Sequence, residues 1–264
     1  MRDKEKLNKV ATATTQTPST LYIWPDMTLF IGPLQCLGLH AMQTTAINIG
    51  IYQPFTLTTE DGITSDHRCA MIAAGQQHEL AANGGIIASL LIERHSSAHH
   101  NLLHNKPCPS SPITPLSAAK WLDYLQMIAE VKPSKAVVYN LLTYLLSADN
   151  TAVTAMDPRI EKAMSSIRLA PDSDLSQAQF AAALGLSQSR FRHLFREQSA
   201  IPFRRYRLWR RIISAMAALQ NESNITQAAM AAGFSDSAHF NRCFRQAFGL
   251  NPSRLFRDMD KSKA

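Results

Sequence analysis

The sequence lacks several features that would assign it to whole classes of protein. None of its 264 residues lies in an apolar run of about 18 or more, the length that crosses a bilayer. Residues 1–20 are charged and then polar, without the apolar core of a secretory signal. The four cysteines, Cys36, Cys69, Cys108 and Cys243, show no CxxC spacing, which favours scattered reduced thiols over a disulfide framework. We therefore expect a cytoplasmic protein with no membrane partner.

Acidic residues are scarce in the carboxy-terminal part of the chain. Residues 1–156 carry 10 Lys and Arg against 11 Asp and Glu, whereas residues 157–264 carry 17 against 9. A near-neutral part joined to a basic part indicates that the basic part meets a polyanion, either nucleic acid or an anionic membrane surface. A membrane role would also need large apolar residues exposed opposite the arginines, and in this sequence those residues are required for the helical cores described below.

Alternating apolar residues predict short strands over residues 21–92. In the segment AINIGIY, Ile47, Ile49 and Ile51 share one face, and the next segment, PFTLTTEDGI, ends in an Asp-Gly turn signal. Several short strands separated by turns predict a small antiparallel sandwich or barrel. Residues 1–20 show no periodicity and predict a flexible arm.

Helical spacing begins after a proline-rich break. Two amphipathic segments follow, and they could dock on the sheet or pair with a second copy of the chain. Their apolar stripes are formed by Trp121, Leu122, Leu125 and Ile128, and by Val137, Val138, Leu141, Leu142, Leu145 and Leu146. We predict a domain over residues 21–147 that could form a homodimer through residues 116–147, a linker at 148–156, and a second, all-helical domain at 157–260.

A helical motif occurs twice in the basic part of the chain. AALGLSQSRFRHLFREQSAIP at 182–202 is repeated as AAGFSDSAHFNRCFRQAFGLNP at 231–252. In each copy a short helix leads through a Gly-containing turn into a second helix, which has an aromatic stripe and a basic polar face. Ser187 and Ser235 are placed to cap the second helices. The pattern is typical of a helix-turn-helix, present here twice.

The segment between the two copies predicts a connecting helix. One stripe is aromatic and aliphatic, and the rest is lined by Arg204, Arg205, Arg207, Arg210 and Arg211. About eighteen helical residues span roughly 27 Å. Together with the width of the motifs, this length brings the two reading helices near the roughly 34 Å of one DNA turn, so both could enter successive major grooves on one face of the duplex.

These segments resemble the DNA-binding domain of AraC/XylS-type bacterial transcription regulators. The residues that carry the resemblance are DPRI, LSQAQFAAALGLSQSRFRHLFRE, PFRRYRLWRRI and AAGFSDSAHFNRCFRQAFGLNPSRLF. One departure is Gln227, where the family often has Glu. The resemblance implies an α+β chain of two domains that binds double-stranded promoter DNA, acts with RNA polymerase, and activates more often than it represses.

The resemblance also implies which side chains meet DNA. Ser189, Arg192 and His193 would face bases in one groove, and the corresponding residues of the second copy would face bases in the next. Arginine contacts to phosphates would supply most of the affinity. The candidate DNA-binding residues are Ser189, Arg190, Arg192, His193, Arg196, Arg205, Ala238, His239, Arg242 and Arg245.

The amino-terminal half is similar to the small cupin-like sensor domain that some of these regulators carry, over LHAMQTTAINIGIYQPFTLTTEDG and AAGQQHELAANGGIIASLLIE. The similarity implies a pocket for a small-molecule effector. His40, Gln43 and His78 are either lining residues of that pocket or ordinary polar groups of the core. Cupin metal sites need an HxH pair, a Glu and a later His, and this set is incomplete here. We therefore expect no metal, no cofactor and no catalytic residue.

Two other functions fit parts of the sequence. One is a cupin-type metal enzyme with a basic, DNA-associating tail, and the other is an architectural DNA binder with an inert amino-terminal half. The stretch RHSSAHHNLLHNKPC holds His95, His99, His100, His104 and Cys108, and His100 and His104 have a ligand spacing. Without a positioned carboxylate, a solvated connector is the favoured interpretation. We predict a sequence-specific transcription regulator, an activator that responds to a small molecule.

Overall fold

The structure is a computed structural model that describes residues 19–93, 96, 99, 113–146, 156–199, 201–221 and 224–257. Most of the predicted arm and linker lies outside the described residues, as do His95, His100, His104 and Cys108. The strands are β1 (Thr20–Ile23), β2 (Met27–Pro33), β3 (Cys36–His40), β4 (Thr45–Gly50), β5 (Phe55–Thr59), β6 (Thr64–His67), β7 (Cys69–Ile72), β8 (His78–Ala81), β9 (Ile86–Ile92) and β10 (Ile113–Pro115).

Helices follow the strands along the chain. They are α1 (Ala119–Val131), α2 (Lys135–Leu146), α3 (Pro158–Leu169), α4 (Gln177–Ala183), α5 (Gln188–Ser199), α6 (Phe203–Asn221), α7 (Ile225–Ala231), α8 (Ser237–Phe248) and α9 (Pro252–Arg257). The order confirms the predicted α+β architecture: among the described residues, strands and two helices come before residue 147, and helices alone come after residue 156.

Two antiparallel sheets form the amino-terminal domain. The larger has the strand order β1-β2-β9-β4-β7-β10, and the smaller has the order β3-β8-β5-β6. In the larger sheet, Ile47 of β4 lies opposite Leu90 of β9 on one side and Met71 of β7 on the other. The predicted sandwich of short strands is confirmed.

Helices α1 and α2 cover the outer face of the larger sheet. Ile47 and Ile49 share a hydrophobic cluster with Trp121, Leu125 and Leu142, whereas the opposite face of β4 packs towards the smaller sheet. The first of the two roles predicted for these helices, docking on the sheet, is therefore confirmed.

His99 contradicts the prediction of a solvated connector at its own position. Its side chain is buried, and its Nε2 lies 2.9 Å from Oγ1 of Thr45. The sequence pattern could not show this, because the partner hydroxyl comes from β4, which is distant along the chain.

The two domains share one hydrophobic cluster. Leu37 and Leu80 from the smaller sheet belong to the same cluster as Trp209 and Met216 of α6 and Phe248 of α8. Helix α8 packs against β3, where two backbone N–H groups of β3 and the following turn donate to carbonyl oxygens at the carboxy-terminal end of α8, at 3.3 and 3.4 Å.

A buried ion pair crosses the domain boundary. Nη1 of Arg210, on α6, lies 2.5 Å from Oε1 of Glu93, which follows β9, and the two side chains are only 10% and 9% exposed. The same nitrogen donates to the carbonyl of Pro25 at 3.1 Å, and the Tyr206 hydroxyl donates to Oε2 of Glu93 at 3.4 Å. Burial, with the Glu93 carboxylate beside it, raises the pKa of Tyr206, so its hydroxyl stays protonated as the donor.

We predict that Glu93→Ala lowers the free energy of unfolding by about 3–5 kcal/mol, because it leaves the Arg210 guanidinium buried without its carboxylate. Unfolding of the full chain in urea measures the effect. In the double variant Glu93→Leu with Arg210→Met no buried charge remains, so its loss of stability should be smaller. A double variant less stable than Glu93→Ala would contradict the prediction.

Candidate nucleic-acid interface

The first helix-turn-helix unit consists of α4 and α5. Gly185, with φ +65°, supplies the left-handed residue of the turn. Ser187 caps α5, since its Oγ accepts from the Arg190 N–H at 3.2 Å, as predicted. Phe191 and Phe195 are buried against Phe203, with ring centroids 5.4 and 5.5 Å away. This packing orients α5 so that its polar face points away from the core.

The second unit consists of α7 and α8, and its cap differs from the prediction. Asp236, not Ser235, is the N-cap of α8, because its side chain accepts from the His239 N–H at 2.6 Å. The second copy has one more residue between its turn glycine and the first buried phenylalanine of its second helix. Asp236 lies four residues before Phe240, just as Ser187 lies four residues before Phe191. The position of the cap is therefore fixed relative to the buried phenylalanine and not by the serine aligned in the sequence. That backbone hydrogen bond lowers the pKa of Asp236.

Most of the candidate DNA-binding side chains are exposed. Those on α5 and at the start of α6 are Ser189, Arg190, Arg192, His193, Arg196 and Arg205, and those on α8 are Ala238, Arg242 and Arg245. His239 is half-buried, because its ring packs on the edge of Phe234 with centroids 5.3 Å apart and its Nδ1 lies 3.2 Å from Oγ of Ser235. The arrangement presents one basic polar surface on each second helix.

The arginines of the connecting helix α6 divide into two groups. Arg204 and Arg205 are exposed, as a DNA contact requires. Arg207 instead donates to the carbonyls of Leu175 and Ser173, the first at 2.7 Å.

Arg211 acts in the same way as Arg207. Its Nε donates to the Pro171 carbonyl at 2.9 Å, and Arg210 is held in the ion pair with Glu93. Three of the five arginines that line α6 are therefore hydrogen-bonded to other parts of the protein, and Arg204 and Arg205 are exposed. The loop before α4 has carbonyls without helical partners, and Arg207 and Arg211, one turn apart, satisfy them.

Comparisons with known proteins bear directly on this pair of units. Residues 180–258 match the family HTH_18, a helix-turn-helix domain. The chain is 33% identical over 134 residues to the arabinose operon regulatory protein of Escherichia coli, covering 48% of this chain and 46% of that one. The carboxy-terminal domain is of the AraC type.

A second relative is the probable transcriptional regulator LumQ of Photobacterium leiognathi, 30% identical over 81 residues, covering 30% of this chain and 33% of LumQ. The chain thus spans less than half the length of either relative.

The two-domain fold also has solved counterparts. ToxT of Vibrio cholerae superposes with a TM-score of 0.62 at 13% identity, over 89% of this chain and 98% of ToxT. A structure of ToxT bound to an unsaturated fatty acid gives a TM-score of 0.58 at 12% identity, over 90% and 98% of the two chains. At this identity the likeness shows the fold alone: a sheet domain followed by a helical domain.

His40 and His78 lie together beneath the AraC-type domain. They are register partners on β3 and β8, with ring centroids 4.3 Å apart, and both are buried. Nδ1 of His40 donates to the Gly38 carbonyl at 2.8 Å, and Nδ1 of His78 donates to the Gln76 carbonyl at 3.0 Å. Each Nε2 is buried without a hydrogen-bond partner.

Burial determines the charge of this histidine pair. It lowers the pKa of His40 to about 4, with a smaller contribution from His78, and it also lowers the pKa of His78. Both rings are therefore neutral at pH 7. Gly249, which ends α8, lies so close that an added Cβ would be 2.9 Å from Nδ1 of His40. The pair thus lies at the contact between the sheet domain and the AraC-type domain.

A cavity of about 40 Å³ lies between β2, β9 and helices α6, α8 and α9, and its described lining includes Thr28 and Ser89 but not His40, Gln43 or His78. The Gln43 side-chain amide donates to the Ala41 carbonyl at 3.1 Å. Within the described part of the chain, no group of three or more His, Cys, Asp or Glu side chains could hold a metal ion, and no helix could span a membrane.

We predict that the free energy of unfolding falls as the pH is lowered from about 6.5 towards about 4. In this window the unfolded chain binds a proton at His40 and the folded chain does not, so His40 contributes up to about 1.4 kcal/mol per pH unit, and the lowered pKa of His78 changes the stability in the same direction. Urea unfolding at a series of pH values measures the slope. The double variant His40→Gln with His78→Gln should have a shallower slope than the natural chain. An unchanged slope between pH 6.5 and 5 would show that the two rings are not held neutral.

Proposed function

We propose that the protein is a sequence-specific, DNA-binding transcription regulator that responds to a small molecule. The observation that carries the proposal is the pair of AraC-type units whose second helices, α5 and α8, both present exposed basic side chains. The names of the two curated relatives, an arabinose operon regulator and a probable transcriptional regulator, agree with it. We further propose a cytoplasmic activator that acts on promoter DNA with RNA polymerase and has no catalytic role.

Selection from randomised duplex DNA tests this function. The full chain should enrich a common sequence long enough to occupy two successive major grooves. An architectural DNA binder would enrich none. A cupin-type metal enzyme would instead carry about one metal ion per chain, which elemental analysis would detect.

The two reading helices are proposed to contact bases through side chains near their amino-terminal ends. On α5 these are Ser189, Arg192 and His193. On α8 the proposed base contacts are Ala238, His239 and Arg242. The more peripheral arginines, Arg190, Arg196, Arg205 and Arg245, are proposed to contact phosphates, which supplies affinity without sequence preference.

Arg242→Ala should weaken binding to the selected sequence by about 1–3 kcal/mol and relax the preference at one base position, because arginine can grip guanine O6 and N7 together. Arg205→Ala should weaken selected and scrambled duplexes by the same factor, because a phosphate contact does not read sequence. Fluorescence anisotropy at one salt concentration compares both variants on both duplexes. If Arg242→Ala lowered the two affinities equally, Arg242 would not be a base-reading residue.

Response to a small molecule is proposed for the amino-terminal domain, with His40, Gln43 and His78 as the residues predicted near its effector. The proposal is supported by the fold shared with ToxT, of which structures bound to an unsaturated fatty acid and to a naphthalenyl butenoic acid are known. The shared hydrophobic cluster supplies a physical route between the domains, because a change in the sheet domain alters the surface on which α6 and α8 pack.

We also propose a homodimer formed through residues 116–147. Helix α2 leaves Val137 and Tyr144 exposed at 48% and 66%, two turns apart, and Val131 at the end of α1 is 61% exposed. Val137 and Tyr144, seven residues apart, lie on the face of α2 opposite its buried side chains.

Tyr144→Glu should therefore convert the dimer into a monomer, because it places a charge in the apolar contact. Sedimentation velocity of the full chain measures the change. Ile63→Glu is the matched control, since Ile63 is 63% exposed on the turn between β5 and β6 and should leave the dimer intact. A natural chain that sediments as a monomer at all accessible concentrations would contradict the proposal.

A further inference from the structure

Among the described residues, the two helix-turn-helix units have separate hydrophobic cores, although helix α6 serves both. Phe203 and Tyr206, at the start of α6, belong to the cluster that contains Phe191 of the first unit. From Trp209 onwards, the buried apolar side chains of α6 belong to the cluster that contains Phe240 of the second unit. Apolar contacts are not directional, so neither core by itself fixes how one unit is rotated about α6 relative to the other.

Two arginines of α6 hold the loop that leads into α4 of the first unit. Arg207 and Arg211 lie one turn apart, where α6 passes from the first core to the second. Their guanidinium groups donate to backbone carbonyls of this loop, which are those of Pro171, Asp172, Ser173 and Leu175. Hydrogen bonds from planar guanidinium groups are directional, so they hold the loop in one position on α6.

The turn of the second unit packs against the same loop and the same arginine. Gly233, with φ +84°, lies so close that an added Cβ would be 2.8 Å from Cα of Asp172 and 3.0 Å from Nε of Arg211. That Nε donates to the Pro171 carbonyl at 2.9 Å, and the Arg211 side chain is only 20% exposed. Arg211 therefore contacts the loop of the first unit through hydrogen bonds and the turn of the second unit through close packing.

We propose that Arg211 is a positioning residue that sets the rotation of the first unit relative to the second, and thereby the spacing of the two DNA segments that the protein reads. The loop ends at Ser176, the N-cap of α4, and α4 packs on α5. The turn at Gly233 leads into α8, so both reading helices follow segments that meet at Arg211. The effect on DNA reading rests on the proposed function, whereas the link between the units rests on their contacts alone.

A change of one base pair is large for two linked reading helices. Inserted between two half-sites, it moves them about 3.4 Å apart and rotates one relative to the other by roughly 35°. With Arg211 in place, the two units cannot follow this rotation without breaking hydrogen bonds to the loop. Without those hydrogen bonds, α6 still joins the units, but the first unit can rotate towards the displaced half-site.

Binding of the full chain to three duplexes tests this role. One duplex carries the sequence obtained by selection, and the others have one base pair inserted or removed between its two halves. The natural chain should bind the altered duplexes about tenfold more weakly, because one unit loses its base contacts. Arg211→Met removes the hydrogen bonds to the loop, so this loss should shrink to about threefold or less. An undiminished loss in Arg211→Met would overturn the proposal.

Two further variants separate positioning from stability. Arg204→Met removes an exposed guanidinium group from the same helix, so it should weaken all three duplexes by one factor and preserve the difference between them. Arg211→Lys keeps the charge, but a compact ammonium does not reproduce the planar fork that spans the loop carbonyls. It should also reduce the difference, and it decides the question if Arg211→Met does not fold. A variant of Arg211 that loses stability but keeps the full difference would overturn the proposal, because the role would then be purely structural.

Hydrogen exchange of the free protein, measured by mass spectrometry, separates this role from the proposed function. Arg211→Met should speed amide exchange by about tenfold both in residues 170–176 and around Gly233, because local opening of the two segments is coupled. Arg204→Met should change neither segment. Faster exchange in the loop alone would overturn the link between the units. A chain that selects no DNA sequence would overturn the proposed function, and the exchange rates would still decide whether Arg211 joins the two units.

Discussion

The arrangement of the two domains depends on the buried contact between Glu93 and Arg210. A charge at this depth is tolerated only with its partner, and here the partners come from opposite sides of the domain boundary. Tyr206 and the Pro25 carbonyl complete the contact, so that a strand end, a turn and α6 meet at one point. The apolar cluster around Trp209 buries surface, but apolar contacts are not directional. The hydrogen bonds of this group are directional, so they define which residues of α6 face the sheet domain.

Much of the fold could be predicted from the sequence, because its signals are local. The alternation around Ile47 predicts a strand, and the spacing of Phe191, Phe195 and their counterparts predicts the helices of both units. The side chains that satisfy distant polar groups could not be predicted. Arg207, Arg210 and Arg211 look alike in the sequence, and only the positions of the loop before α4 and of Glu93 distinguish them from the exposed arginines.

The candidate sites also combine local features that the sequence predicts with distant contacts that it does not. Exposure of the basic faces of α5 and α8 follows from helical periodicity, and the cap at Ser187 follows from the preference for serine directly before a helix. The shift of the second cap to Asp236 depends on one extra residue, whose effect becomes clear only when the buried phenylalanines are aligned. The contact between His40 and His78 depends on strand register, which periodicity does not specify. A groove lined by Trp24, Leu169 and Ile213 was not predictable, since its walls come from three separate segments.

Helix α6 connects the sheet domain with both helix-turn-helix units. Its exposed Arg204 and Arg205 lie near the first unit, and its Arg210 and Gln220 are held by the sheet domain, the latter through the Leu21 carbonyl at 2.6 Å. The same helix packs against both units and thereby sets the distance between α5 and α8. A rigid helix anchored to the sheet domain at two points cannot shift without moving at least one reading helix. A change in the sheet domain can therefore alter the distance between α5 and α8, on which the proposed entry into successive major grooves depends.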